Sequence, residues 1–337
     1  MKFLKTMGMI NNLAIGRGFL GPNSCAISSD GRIFVLDYYL YPEKTARITV
    51  QTFEEEFLFE FATLQGSNPG DKLLKIPSDL EFDSKDRLYV TDEGLNAVMV
   101  YDSSGNYFNK WGDIGQNEGQ FNGPSGIAID SKDHLFIVDQ YNHRIQKFTN
   151  EGEFLNSWGV YGSQEGEFNL PWGICIDQND NVFVADWRND RIQKFTNEGE
   201  FLNLFGKTGT GNGELIRPSD VVVDSNGMIF ISDWGNERVV VLDRYGTYIC
   251  SESGQSQLTT KWTEEFFESN VDERHTRENS NLIPDLPDHL QAPYHKSSQT
   301  EPFFWGITDL TLDLQERLYV TEHRRHRIQI FGDLSNV

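Results

Sequence analysis

Two short stretches hold the chain's most reactive mixture of side chains, "DWRND" at Asp186–Asp190 and "EHRRHR" at Glu322–Arg327. A histidine can exchange a proton near neutral pH, and a guanidinium can stabilise developing negative charge. His323 and Tyr141 are therefore the candidate proton-transfer groups. Arg188 and Arg324 are the candidate stabilisers of an anion. Such a set suits elimination, isomerisation or hydrolysis and needs no redox cofactor. The aromatic residues Tyr38, Trp172, Trp187, Trp234 and Trp305 could wall a pocket around a small organic ligand with an acidic or carbonyl group. Tyr39 and Tyr41 stand close to Tyr38 in the sequence.

Other chemistries find less support. There is no G-x-S-x-G, no H-E-x-x-H, no P-loop and no dinucleotide fingerprint. The three cysteines Cys25, Cys175 and Cys250 are an odd number without C-x-x-C spacing. They read as free thiols in a reducing, cytoplasmic setting. A net charge of −22 opposes binding to nucleic acid or to an anionic membrane. No apolar run approaches the ~18 residues of a spanning helix. The opening "MKFLKTMGMINNLAIG" is a poor secretion signal, because Asn11 and Asn12 interrupt its apolar part.

The elements that must position these residues are repeats. "RIQKFTNEGEFLN" occurs unchanged at Arg144–Asn156 and at Arg191–Asn203. Four units open at Pro77, Pro124, Pro171 and Pro218, 47 residues apart, and looser copies open at Pro22 and Ile307. Each unit contains an apolar run, a polar turn, a second run ending in an acid, a tight loop, a third run beginning with Arg, and a fourth after "TNEG" or its equivalent. Four short strands per unit at this period describe a propeller blade. The sixth unit ends before its fourth strand. Phe3–Gly8 ("FLKTMG") matches Phe154–Gly159 ("FLNSWG") and can supply it. The expected fold is all-β: a single six-bladed propeller domain over residues 1–337, its last blade closed by the N-terminal strand.

The pattern D-x-x-N-x-R-I-Q-x-F at Asp139–Phe148 and Asp186–Phe195, followed by G-E-F-x-x-x-(W/F)-G, resembles NHL repeats. The second unit departs with Ala97 in place of the arginine, and the first has a longer loop in place of the Asn. The resemblance implies any of several functions. Such propellers serve as RNA-binding modules, as protein-interaction platforms, and as enzymes such as the peptide-amidating lyase and strictosidine synthase-like proteins. The lyase carries zinc-binding histidines just after each blade-opening Pro. Here those innermost positions read Asn23/Ser24, Ser78/Asp79, Ser125/Gly126, Trp172/Gly173, Ser219/Asp220 and Thr308/Asp309. A three-His zinc site of that type is not expected. Asp79, Asp220 and Asp309 could hold a hard cation such as Ca²⁺ in the central channel, or could accept backbone hydrogen bonds at their strand starts. No other cofactor is expected. The recurrent Arg144, Arg191, Arg238 and Arg327 read as ties to the recurrent acid rather than as ligand groups.

One segment breaks the period. Pro218 to Ile307 spans 89 residues where 47 are expected, which places an insertion within 251–305. "TTKWTEEFFESNVDERHT" predicts a helix capped by Thr259 or Thr260, with Trp262 and Phe266 on one face. By strand parity the insertion leaves from the face that carries the loops between second and third strands. It is expected to act as a lid over an aromatic and basic pocket at the channel mouth. The alternative is a protein-interaction scaffold with an open face.

Overall fold

A computed structural model describes residues 1–9, 16–39, 45–63, 73–256 and 259–334. Tyr41 lies outside the described residues. The chain forms six four-stranded antiparallel sheets around a central channel. Blade three is representative, with strands Pro124–Ile129, Leu135–Asp139, Arg144–Phe148 and Phe154–Trp158. Its second strand is buried throughout, because neighbouring blades cover both of its faces. The strands therefore read as continuous apolar runs rather than as an alternation.

The ring closes as expected. Lys2–Met7 joins blade six as its outer strand, antiparallel to Arg327–Gly332, in a register that includes Phe3↔Phe331 and Met7↔Ile328. A glycine with a left-handed backbone follows the outer strand in five of the six blades, at Gly8, Gly112, Gly159, Gly206 and Gly254, and Ala62 takes this conformation at φ +57° in blade one. Gly8 sits at φ +98° with the ring of Phe19 against it, and Gly159 repeats the arrangement at φ +100° with Phe168. A side chain there would meet both a left-handed backbone and an occupied space.

The recurrent acid and arginine are structural ties. The Asp186 carboxylate accepts hydrogen bonds from Asn169 N (2.8 Å), Asn189 Nδ2 (2.9 Å), Arg191 Nε (2.8 Å) and Gln193 Nε2 (3.1 Å). Arg191 spends its remaining N–H groups on the carbonyls of Ser163, Gln164 and Glu167. The loop entering the blade is thus fastened to the blade's own second and third strands. Asp139 with Arg144, Asp233 with Arg238, and Glu322 with Arg327 repeat the arrangement at 2.7–2.8 Å. Where Ala97 replaces the arginine, the partners of Asp92 among the described residues are backbone N–H groups, including those of Lys75, Ile76 and Leu95.

The insertion forms three helices: α1 (Lys261–Ser269), α2 (Val271–Glu278) and α3 (Pro293–Gln299). Thr260 caps α1 by accepting the Thr263 N–H. Trp262 and Phe267 are the buried aromatics of this helix, whereas Phe266 is exposed. The expected pairing of Trp262 with Phe266 is thus replaced. Trp262 packs edge-on against Phe19 at 5.9 Å and donates to the Glu55 carbonyl at 2.7 Å. This places α1 on the outer rim, between the N-terminal strand and blade one. α3 lies against the turn Trp234–Asn236 of blade five.

Candidate ligand site at the channel mouth

The second strand ends at the recurrent acid in blades two to six and runs on to Tyr39 in blade one, and the residue after the acid forms a column on the mouth side. That position is Tyr38, Glu93, Gln140, Trp187, Trp234 and His323 in blades one to six. With the residues after each blade-opening Pro, this column sets the chemistry of the mouth. A cavity of about 110 Å³ lies there, lined among others by Asn23, Tyr38, Glu93 and Trp172 and floored by Asp79, Asp220 and Asp309. Beyond these three carboxylates the channel widens into a chamber of about 370 Å³ that includes Cys25, Glu81 and Cys175. The three aspartates are the waist between the two spaces.

Each waist carboxylate is tied to the next blade. Asp79 accepts from Ile127 N at 2.9 Å, Asp220 from Leu310 N at 2.9 Å, and Asp309 from Cys25 N at 3.2 Å. Ser24 Oγ donates to Asp79 at 2.6 Å. Burial raises the pKa of all three, and the charges of Asp309 and Asp79 raise that of Asp220 further. Among the described residues no group of three or more His, Cys, Asp or Glu side chains is arranged to hold a metal ion. The Ca²⁺ expectation therefore finds no fitting cage. The backbone alternative describes the geometry: Asp79 also accepts the Leu80 N–H at its own strand start at 2.8 Å, and the bonds between blades add to this.

The aromatic expectation has a clear counterpart. Trp172, Trp187 and Trp234 form a continuous arc across blades four and five, with ring centroids 5.8 and 6.4 Å apart. Trp172 is 37% exposed, and its carbonyl accepts the Gly126 N–H at 2.9 Å. Arg188 and Arg217 both stand over the Trp187 ring, at 5.4 and 5.1 Å. Tyr38 is buried, and its phenol oxygen has no hydrogen-bond partner among the described residues. Burial, followed by the charges of Asp92 and Glu93, raises its pKa. Tyr141 donates to Glu93 at 3.2 Å, and burial with the Glu93 charge raises its pKa as well.

His323 does not line the cavity. It is tucked against Gly21, and its Nδ1 lies 2.9 Å from Asn23 Oδ1. Because that oxygen can only accept, Nδ1 carries the proton. Burial lowers the His323 pKa, which keeps the ring neutral at physiological pH. Its place is behind Asn23, whose amide it orients. Arg324 also departs from the expected grouping with Arg188. It is exposed and stands over Tyr294 and Trp305 at 5.9 and 5.7 Å. None of the insertion's described residues lines the mouth cavity.

Sequence reasoning missed Glu93 and Arg217. Glu93 was findable, since it follows the recurrent acid Asp92 as Trp187 follows Asp186. Arg217 precedes a blade-opening Pro, a position with no pattern to mark it.

Comparison with known proteins agrees with the architecture. Residues 45–206 match the family model described as SMP-30/Gluconolactonase/LRE-like region, and residues 171–254 match one described as 6-bladed beta-propeller. No curated protein sequence matches the chain significantly. Among solved structures, a catalytically inactive virginiamycin B lyase from Staphylococcus aureus with quinupristin superposes with a TM-score of 0.58 at 13% identity, covering 98% of this chain and 86% of that one. A streptogramin B lyase gives 0.56 at 13% identity, with 98% and 97% covered. A protein of unknown function from Bacteroides thetaiotaomicron gives 0.61 at 16%, with 94% and 70% covered. At these identities the likeness is one of fold. No helix among the described residues is long and apolar enough to cross a membrane.

Proposed function

We propose that the protein binds a small organic ligand with an acidic or carbonyl group at the channel mouth, on the arc of Trp172, Trp187 and Trp234. The observation that carries this reading is the arc itself. Its indoles are not part of the repeat, they touch in series, and two guanidinium groups stand over the central ring. A planar or apolar ligand would stack there while Arg188 and Arg217 meet its anionic or carbonyl end. That a lyase of similar fold has been crystallised with quinupristin supports a small-molecule ligand. The D-x-x-N-x-R-I-Q-x-F motif supports placing the repeats in the NHL type, and the three unpaired cysteines suit a cytoplasmic setting.

Chemistry at this mouth, on the same reading, is non-redox elimination, isomerisation or hydrolysis. Tyr141 and Glu93 form the proton-transfer pair at the lip. His323 positions Asn23, and the insertion stands beside the mouth on the side of blades five and six. A second reading, a protein-interaction platform, draws on the exposure of Trp172, Arg188 and Arg324. The two separate experimentally. The protein should shift its melting temperature and quench its tryptophan fluorescence with members of a panel of aromatic carboxylates and lactones, and Trp187→Ala should abolish both responses. If no panel member binds, or binding survives Trp187→Ala, the small-molecule reading fails and the platform reading takes its place.

A further inference from the structure

The insertion creates a separate, half-open cleft away from the channel. A cleft of about 490 Å³ lies between α1, α2 and the end of blade six, a volume typical of metabolite sites. Its charge is opposite to that of the molecule. In a chain of net charge −22, Arg277, Arg324, Arg325 and Arg327 line it with Glu301 as the one carboxylate among the described residues.

The pairing of these charges is incomplete. Arg277 takes Glu301 bidentately, at 2.8 and 2.5 Å. Arg327 takes Glu322 at 2.7 Å. Among the described residues neither Arg324 nor Arg325 has an ion pair. Arg325 gives Nη2 to the carbonyls of Ser297 and Thr300 at 2.6 and 3.1 Å and stands over Trp305 at 5.5 Å, while its Nε is buried with no hydrogen-bond partner among the described residues. Glu237, also within electrostatic reach, accepts the Gly306 N–H at 2.7 Å, and burial pushes its pKa up to about 7. It is therefore only partly charged at neutral pH. Arg325 feels Glu322, Glu301 and Glu237 only at a distance; a half-buried guanidinium without a carboxylate in contact is costly, and its natural complement is an anion. The opposite wall sets Phe266 and Phe267 among the hydroxyl residues Thr259, Thr260 and Thr263. Phe266 is 41% exposed and faces the cleft from α1, whose other two aromatics are buried.

We propose that this cleft binds a small organic anion, with a carboxylate or phosphate at Arg324 and Arg325 and an apolar body against Phe266. The site is separate from the mouth and does not rest on the reading given there. The probes are phenylacetate and phenyl phosphate, with benzyl alcohol as the neutral control, titrated calorimetrically into the full chain carrying Trp187→Ala, which removes the stacking ring of the mouth. At least one anion should bind saturably to a single site and the alcohol should not. Affinity should fall about tenfold or more in Arg324→Met, the loss of one charge-assisted contact of ~1.4 kcal/mol or more, and likewise in Phe266→Glu, which sets a carboxylate in the cleft. Phe266 is exposed on a helix, so Phe266→Glu should fold even if an arginine variant does not. Trp172→Ala at the mouth should leave this binding unchanged. Failure of both anions to saturate, equal binding of the alcohol, or binding unmoved by both Arg324→Met and Phe266→Glu would overturn the assignment.

Discussion

Met7 tests ring closure at a single side chain. It belongs to the N-terminal strand, pairs with Ile328 of blade six, and is fully buried among Phe19, Ile328 and Trp262. Replacing it with Ala removes buried atoms and leaves a void, which costs about 2–5 kcal/mol. With an unfolding entropy of about 2.1 cal/mol/K per residue and 337 residues, each kcal/mol corresponds to roughly 1.4 °C. Met7→Ala should therefore lower Tm by about 3–7 °C. Met7→Leu, which nearly conserves volume, should cost less than about 1.5 kcal/mol and about 2 °C. Removing residues 1–9 should do more than either, because it also strips the backbone partners from Arg327–Gly332 and leaves an open sheet edge. Scanning calorimetry on the three variants decides the matter. If Met7→Ala melts within about a degree of the parent, the N-terminal strand is not a working part of the last blade, because a fully buried methionine cannot be lost at that cost.

Three further outcomes follow from the same geometry. Arg191→Met strands the buried Asp186 carboxylate and should cost about 3–5 kcal/mol, whereas Arg188→Met, exposed and outside the repeat, should melt within about 1 °C; equal losses would erase the distinction between recurrent and non-recurrent arginines. Burial raises the Glu81 pKa from 4.5 to about 7, so the folded chain holds this proton while the unfolded chain releases it, and stability falls as pH rises through that window; Glu81→Gln should be neutral at about pH 4 and stabilise by about 1–2 kcal/mol near pH 8, below the roughly 3 kcal/mol ceiling because the group faces the channel chamber, and a difference independent of pH refutes this. Trp187→Ala should abolish ligand response at the mouth without lowering Tm by more than about 3 °C, since its ring is only half-buried; fluorescence titration and a melting curve read both.

The fold was legible because each blade repeats its own scaffold chemistry. An acid, an Asn, an Arg and a Gln at fixed spacing make one hydrogen-bonded knot, and its recurrence identifies the residues as structural before any coordinate is known. Ala97 shows the logic from the other side, since the knot loosens where the arginine is missing and Asp92 falls back on backbone N–H groups. The insertion was legible only in part. Strand parity gives the face from which it leaves. It does not give the direction in which it folds, which depends on contacts between residues far apart in the chain: Thr6 with Ser256, Glu55 with Trp262, and Arg17 with Glu265. No local pattern encodes such pairs.

The candidate site follows from what remains once the repeat is subtracted. In the column after the recurrent acid, identical scaffolding presents Tyr38, Glu93, Gln140, Trp187, Trp234 and His323. The backbone gives these positions equivalent places, so their differences are not required by the fold. The packing partner is the exception that sequence could not supply. His323 and Trp187 occupy the same column and both are partly exposed, yet His323 packs against Gly21 and Asn23 while Trp187 lies beneath Arg188 and Arg217. The cause lies in the adjoining blade, where a glycine at position 21 leaves room for the imidazole. A column in a repeat therefore fixes where a side chain starts, and the neighbouring blade's residues decide what it packs against. That is why the aromatic arc could be read from the sequence, whereas the role of His323 as the support of Asn23 required the structure.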